Sequence, residues 1–94
     1  MQNLGESGEI LALQALAWLV GNEELLPAFL TASGADLADL RQRVTDPAFL
    51  IAVLDFLMSE DAWLMAFCDD HTIAYDAVDR ARQSLPGGAR VHWT

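Results

Sequence analysis

The chain has 94 residues, of which 53% are hydrophobic, and its 14 acidic side chains against 5 arginines give a formal net charge of −9. This length suits a single domain, and the apolar content excludes an intrinsically disordered chain. An acidic surface repels nucleic-acid phosphates and anionic lipid, so neither nucleic acid nor a membrane is an expected partner.

Three features indicate a cytoplasmic protein. The longest apolar stretch, from Ile10 to Val20, is too short to span a bilayer. Glu6 and Glu9 precede this stretch, whereas a signal peptide would need a basic start. Cys68 is the single cysteine, so no internal disulfide forms, which suits a reducing compartment.

Apolar residues at helical spacing predict an all-α fold, a compact bundle of five or six short helices. The helical domain is expected over residues 8–85, between a flexible N-terminus at 1–7 and a flexible C-terminal tail at 86–94. Ser7 is expected to cap the first helix, over residues 8–20. That helix is apolar on nearly all sides, so it either lies at the centre of the bundle or forms half of an oligomer interface.

Residues that commonly cap helices indicate where the middle helices begin and end. Asn22 is expected to cap the second helix, Gly34 to end it, and a short third helix follows over residues 37–43. Asp46 followed by Pro47 is the clearest start signal in the chain, because aspartate caps helices well and proline fits the first helical position.

The last two helices are expected to begin at polar residues. Ser59 is predicted to cap the fifth helix, and Thr72 or Asp70 the sixth, which runs to about Ser84. The residues expected in the core include Leu13, Phe29, Phe49, Leu54 and Phe67.

Three segments have distinctive patterns of apolar spacing and helix caps: Ala15-Leu16-Ala17-Trp18-Leu19; Phe29-Leu30-Thr31-Ala32-Ser33-Gly34 followed by Asp39-Leu40-Arg41; and Asp46-Pro47-Ala48-Phe49-Leu50 running into Val53-Leu54-Asp55-Phe56-Leu57. They resemble a family of short, acidic, helical bacterial proteins, mainly alphaproteobacterial, that is known only as a domain of unknown function. The similarity covers about residues 9–85. It implies the helical fold, and it implies no activity, cofactor or site residue.

The run Cys68-Asp69-Asp70-His71 is the densest group of reactive side chains. Asp69 and Asp70 fall at the end of the fifth helix, where the helix dipole disfavours anions, and a metal ion or a basic partner would relieve that cost. The alternative is that Asp70 caps the next helix and Asp69 faces water. Adjacent residues rarely converge on one metal, and neither zinc-type spacing of cysteines nor of histidines is present, so no metal site or cofactor is predicted.

Asp55 stands in the middle of the apolar fourth helix. Its carboxylate either faces solvent or forms an ion pair with Arg41. A catalytic role would require a second carboxylate and a cleft, which a small bundle of packed helices rarely offers.

Residues 26–44 can be laid on a helix-turn-helix template. The would-be recognition helix begins with Asp36 and Asp39, which would face DNA phosphates, and the net charge removes the attraction that dominates DNA affinity.

The sequence therefore favours a non-enzymatic interaction or adaptor domain that binds a protein partner, or itself as a homodimer, through an apolar helical face. The alternatives are a small metal- or thiol-dependent regulatory protein built on residues 68–71, and an acidic DNA mimic or transcription cofactor. The residues expected to contact a partner are Leu11, Trp18 and Leu19 on the first helix, and Val91 and Trp93 in the tail.

Overall fold

A computed structural model describes the backbone of residues 4–88 and the side chains of residues 8–88. In this part of the chain every regular element is helical and none is a strand, which confirms the predicted all-α class. The helices are α1 (Leu4–Val20), α2 (Leu25–Ser33), α3 (Leu40–Arg43), α4 (Pro47–Met58), α5 (Asp61–His71) and α6 (Tyr75–Ser84), with a 3-10 turn at Leu37–Asp39 before α3. Each described helix is too short or too polar to span a lipid bilayer.

The first helix is the centre of the packing. One face of α1 lies against α6 and α4, and its end contacts α2. Gly8 lies close against α6: a Cβ at this position would lie 2.7 Å from the carbonyl oxygen of Ala81 and would collide with Ser84 Oγ. The absence of a side chain at Gly8 therefore sets how closely the first and last helices pack.

The fourth helix follows its sequence signals. Asp46 Oδ1 accepts a hydrogen bond from Ala48 N at 3.0 Å, and Pro47 occupies the first helical position. One stripe of α4 faces the core, and its five apolar residues, at the spacing expected for an amphipathic helix, are all buried. These residues are Phe49, Leu50, Val53, Leu54 and Leu57.

The predicted end of the second helix is confirmed, whereas its start differs: α2 begins at Leu25 with Glu24 at the N-cap position, and Asn22 caps the turn just before it. Asn22 Oδ1 accepts hydrogen bonds from the backbone amides of Glu24 and Leu25 at 3.0 and 3.1 Å, which satisfies free donors at the start of α2. Gly34 ends α2 in the left-handed conformation, with φ of 73°.

Three predicted caps are wrong. Ser7 lies inside α1, which starts at Leu4: no proline stands in residues 4–7, and Gly5 lies in the first turn without ending the helix. Ser59 ends α4 instead of starting α5: its hydroxyl donates to the carbonyl oxygen of Phe56 at 2.6 Å, and Glu60 takes the N-cap position.

The start of α6 also differs from its prediction. Ala74 is the N-cap and offers no side-chain hydrogen bond. Thr72 instead ends α5 with a positive φ of 54°, while Asp70 lies within α5 and binds a side chain of α1. The connection between the helices is therefore shaped by the end of α5, whose last carbonyls bind the amide of Thr72.

The predicted core is right at four positions out of five. Phe29, Phe49, Leu54 and Phe67 are buried. Leu13 is 37% exposed, because it lies on the side of α1 that faces away from the buried residues of that helix.

Phe49→Ala should lower the free energy of unfolding by ~3–5 kcal/mol, since it removes a buried ring and leaves a cavity beside Phe29, whose ring centroid lies 5.8 Å away. Denaturant unfolding followed by circular dichroism measures the loss. Leu37→Ala is the control, because Leu37 is 59% exposed and its truncation should cost under ~0.5 kcal/mol. A loss below about 1 kcal/mol for Phe49→Ala would contradict this packing.

Asp46→Ala should destabilise the protein by ~1 kcal/mol, because the amide of Ala48 loses its acceptor. Asp46→Asn is the matched control: it keeps an acceptor oxygen and should stay within ~0.5 kcal/mol of the native chain. Equal losses in thermal unfolding of the two variants would mean that the charge, and not the cap, stabilises α4.

Candidate functional site

The outer face of α1 carries a row of apolar side chains that the bundle leaves uncovered. Ile10, Leu13 and Val20 are 51%, 37% and 44% exposed, and Ala17 between them is also exposed. The four residues are separated by three, four and three positions, which places them along one side of the helix. This row, Ile10, Leu13, Ala17 and Val20, is called the α1 stripe below.

The α1 stripe differs from the predicted partner-binding residues of the same helix. Leu19 is fully buried in the core, so its assignment to a partner surface is wrong: it points to the same side of α1 as the buried Ala12 and Leu16. Leu11 and Trp18 are partly buried against the core, at the edge of the covered face. Val91 and Trp93 lie outside the described residues, and their predicted role stays a prediction.

Leu11 also lines a shallow groove between α1 and α6. The groove has a volume of about 490 Å³, and its lining is mostly apolar. Gly8, Ala81 and Arg80 are among the residues that line it, and Arg80 forms an ion pair with Asp76 at 3.0 Å. The two residues are four positions apart, which places them on one face of α6.

Trp18 lies at the other end of α1, beside an open concavity of about 700 Å³. Its indole Nε1 donates a hydrogen bond to Asp70 Oδ2 at 2.8 Å, and its ring forms a T-shaped contact with that of Phe67 at a centroid distance of 5.8 Å. Glu23 and Glu24 complete the acidic part of the lining. This space, bounded by Trp18, Glu23, Glu24 and Asp70, is called the acidic concavity.

Each reactive side chain of residues 68–71 has its own structural contact. Asp69 Oδ1 accepts a hydrogen bond from the Tyr75 hydroxyl at 3.2 Å, and His71 packs against the Phe67 ring at 4.7 Å. Cys68 is buried. Among the side chains that the structure describes, no three histidine, cysteine, aspartate or glutamate residues are grouped so as to hold a metal ion. These side chains are consecutive in the sequence, but in the structure each of them has a different neighbour or environment.

The surroundings of residues 68–71 suppress ionisation of two neighbouring groups. Burial, and then the charge of Asp69, raise the pKa of the Cys68 thiol above its ordinary value. The hydrogen bond to Asp69 raises the pKa of Tyr75, because the phenol must keep its proton in order to donate. A thiol held in its neutral form is a poor nucleophile, so this arrangement does not activate Cys68.

Asp55 pairs with Arg82 and not with Arg41. Arg82 Nε and Nη2 donate to the two oxygens of Asp55, the second at 3.2 Å, while Nη1 donates to the carbonyl oxygen of Gly88 at 3.0 Å. The hydrogen bond to Asp55 raises the pKa of Arg82. The sequence did not indicate this pair, because it depends on the packing of α6 beside α4.

The segment that the helix-turn-helix template would make the recognition helix does not form a long helix. Residues 37–43 form a 3-10 turn followed by the four residues of α3. Asp36 and Asp39 form a reciprocal capping box at the start of this segment, with Asp36 Oδ1 accepting from Asp39 N at 2.9 Å. A helix of one turn is too short to present several side chains along a DNA groove.

The sequence alone does not show that the α1 stripe is the exposed face of α1. The spacing of residues 10, 13, 17 and 20 is readable in the sequence, but α1 has apolar residues on its other faces as well. Only the positions of α4 and α6 show which of these faces is covered.

Comparison with known proteins places the chain in a family. The family model described as "Protein of unknown function (DUF3572)" matches residues 5–88. This confirms the resemblance to a domain of unknown function. No curated protein and no solved structure matches the chain significantly.

Iodoacetamide at pH 8 should alkylate Cys68 at least tenfold more slowly in the folded protein than in guanidinium, because the thiol is buried and its pKa is raised. Mass spectrometry of timed samples gives both rates. The control is Met65→Cys combined with Cys68→Ala, which moves the thiol to a position 45% exposed on the same helix. Equal rates for Cys68 in the two conditions would contradict the burial.

Proposed function

Since the chain belongs to the DUF3572 family, whose function is unknown, we propose that it is a non-enzymatic interaction domain that binds a protein through the α1 stripe. The exposure of Ile10, Leu13 and Val20 along one side of α1 is the observation that carries this proposal. Apolar side chains removed from water at an interface contribute roughly 25 cal/mol per Å².

The spacing of the α1 stripe suits a helical partner. Residues separated by three and four positions recur every 3.5 residues on average, which is the pattern by which two helices pack side by side. A partner helix would place its own apolar residues between Ile10, Leu13 and Ala17. Recognition of this kind uses an amphipathic helix with anchors at helical spacing.

A cytoplasmic location is part of the same proposal. Cys68 is buried as a free thiol, a form that a reducing compartment maintains.

Replacing Ile10 and Leu13 by glutamine should weaken binding of an amphipathic helical peptide at least tenfold, because the substitutions put amides where the interface needs apolar surface. The readout is the fluorescence anisotropy of a labelled peptide with leucine at heptad spacing, titrated with the full chain. Both positions are partly exposed, so the folded state should remain intact by circular dichroism.

The matched control replaces Leu37 and Met65 by glutamine. Both are exposed apolar residues outside α1, at 59% and 45% exposure. Their replacement should change affinity less than twofold. Equal weakening by the two pairs would show that any exposed apolar residue suffices, and absence of peptide binding to the native chain would remove the proposed role of the α1 stripe.

A further inference from the structure

The α1 stripe and the acidic concavity are parts of one surface. Ala17 belongs to both, because it is the third residue of the α1 stripe and also lines the acidic concavity. Val20 ends the α1 stripe one residue before Gly21, which lines the acidic concavity as well. A helix lying on the α1 stripe therefore has one of its ends beside Trp18, Glu23 and Glu24.

The electrostatic potential in the acidic concavity is negative for two reasons that add. Glu23, Glu24 and Asp70 contribute three carboxylates to its lining. The C-terminal ends of α1 and α5 also lie there, since α1 ends at Val20 and Asp70 is the second-last residue of α5. Each helix C-terminus adds the equivalent of roughly half a negative charge, and the N-terminus of α2, which begins at Leu25 directly after Glu24, offsets one of the two, so the three carboxylates are the main source of the potential.

The size of the α1 stripe argues against a second copy of the chain as its occupant. The partly exposed side chains offer on the order of 200 Å² of apolar surface, against roughly 800 Å² on each side of a stable interface. A complex of this size needs a further attraction. Two copies that each carry a net charge of −9 repel one another instead.

From this arrangement we propose that the α1 stripe takes an amphipathic helix of a basic partner protein, with a lysine or arginine of that helix in the acidic concavity beside Trp18. This inference rests on the proposed docking role of the α1 stripe, and it adds the charge of the partner.

Trp18 is positioned to take part in binding such a cation. Its hydrogen bond to Asp70 and its contact with Phe67 hold the indole in place, so a cation meets an aromatic ring and a carboxylate that are already oriented. Cations favour the faces of tryptophan rings, and Glu23 and Glu24 supply the opposite charge around the ring.

The test uses the full chain and three labelled peptides with the same leucine heptads, flanked at both ends by arginine, glutamine or glutamate. At 50 mM salt the arginine peptide should bind at least tenfold more tightly than the glutamine peptide, and the glutamate peptide more weakly than both. Raising the salt to 300 mM should remove most of the advantage of the arginine peptide, because the charges lie at the surface.

Variants that remove charge test whether the acidic concavity causes the preference for the arginine peptide. Glu23→Gln, Glu24→Gln and Asp70→Asn together should bring the affinity for the arginine peptide down to that for the glutamine peptide. Asparagine at position 70 keeps an oxygen that accepts from Trp18 Nε1, so the ring stays positioned. The control, Glu60→Gln with Asp61→Asn, removes two charges at the other end of α5, ~13 Å away along the helix axis, and should change affinity less than twofold.

The outcomes separate this inference from the proposed function. Equal binding of the arginine and glutamine peptides would overturn the basic partner and leave the α1 stripe as a docking surface. The control variant could lose the preference for the arginine peptide as fully as the triple variant does. That result would overturn the acidic concavity as the site that binds the basic residue. A dimer of the native chain in light scattering at micromolar concentration, lost with Ile10→Gln and Leu13→Gln, would assign the α1 stripe to a second copy. Absence of binding by all three peptides would overturn both proposals.

Discussion

The close packing of α1 on α6 is the contact on which the rest of the arrangement depends. Gly8 has no side chain at the point where α1 passes Ala81 and Ser84, so the two helices approach more closely there than any larger residue would permit. This contact joins the two ends of the domain, and with the neighbouring packing on α4 it decides which side of α1 is buried. The candidate docking surface is the opposite side of the same helix. Packing of α1 in the core therefore determines which residues of α1 that surface contains.

The sequence predicted those features that arise from local chemistry. Asp46 and Pro47 define a helix start through bonds within one turn, and the stripe from Phe49 to Leu57 needs only the period of the helix. Ser59 was misassigned because a serine hydroxyl can bind the carbonyl behind it as well as the amide ahead, and the sequence does not say which. Leu13 was misassigned because α1 is apolar on several faces, so burial there depends on distant helices.

The candidate site was less predictable than the fold for the same reason. Asp69 and Asp70 were correctly singled out as acids at an unfavourable helix end, but their partners come from other helices: Tyr75 from α6 and Trp18 from α1. Both donors, a phenol hydroxyl and an indole N–H, are uncharged, so neither contact brings a positive charge to these carboxylates. The negative charge thus remains at the surface beside Trp18, where the bundle displays it next to the end of the α1 stripe.

The order of α1 and α6 along the chain, with four helices between them, has a consequence during protein synthesis. The inner face of α1, with Leu16 and Leu19, is covered only when α6 has also left the ribosome. At usual elongation rates of 5–20 residues per second this takes on the order of 3–13 s. During that interval the nascent helix exposes apolar residues on its inner face as well as along the α1 stripe, and exposed apolar surface of this kind favours aggregation of incompletely folded chains until the bundle covers the inner face.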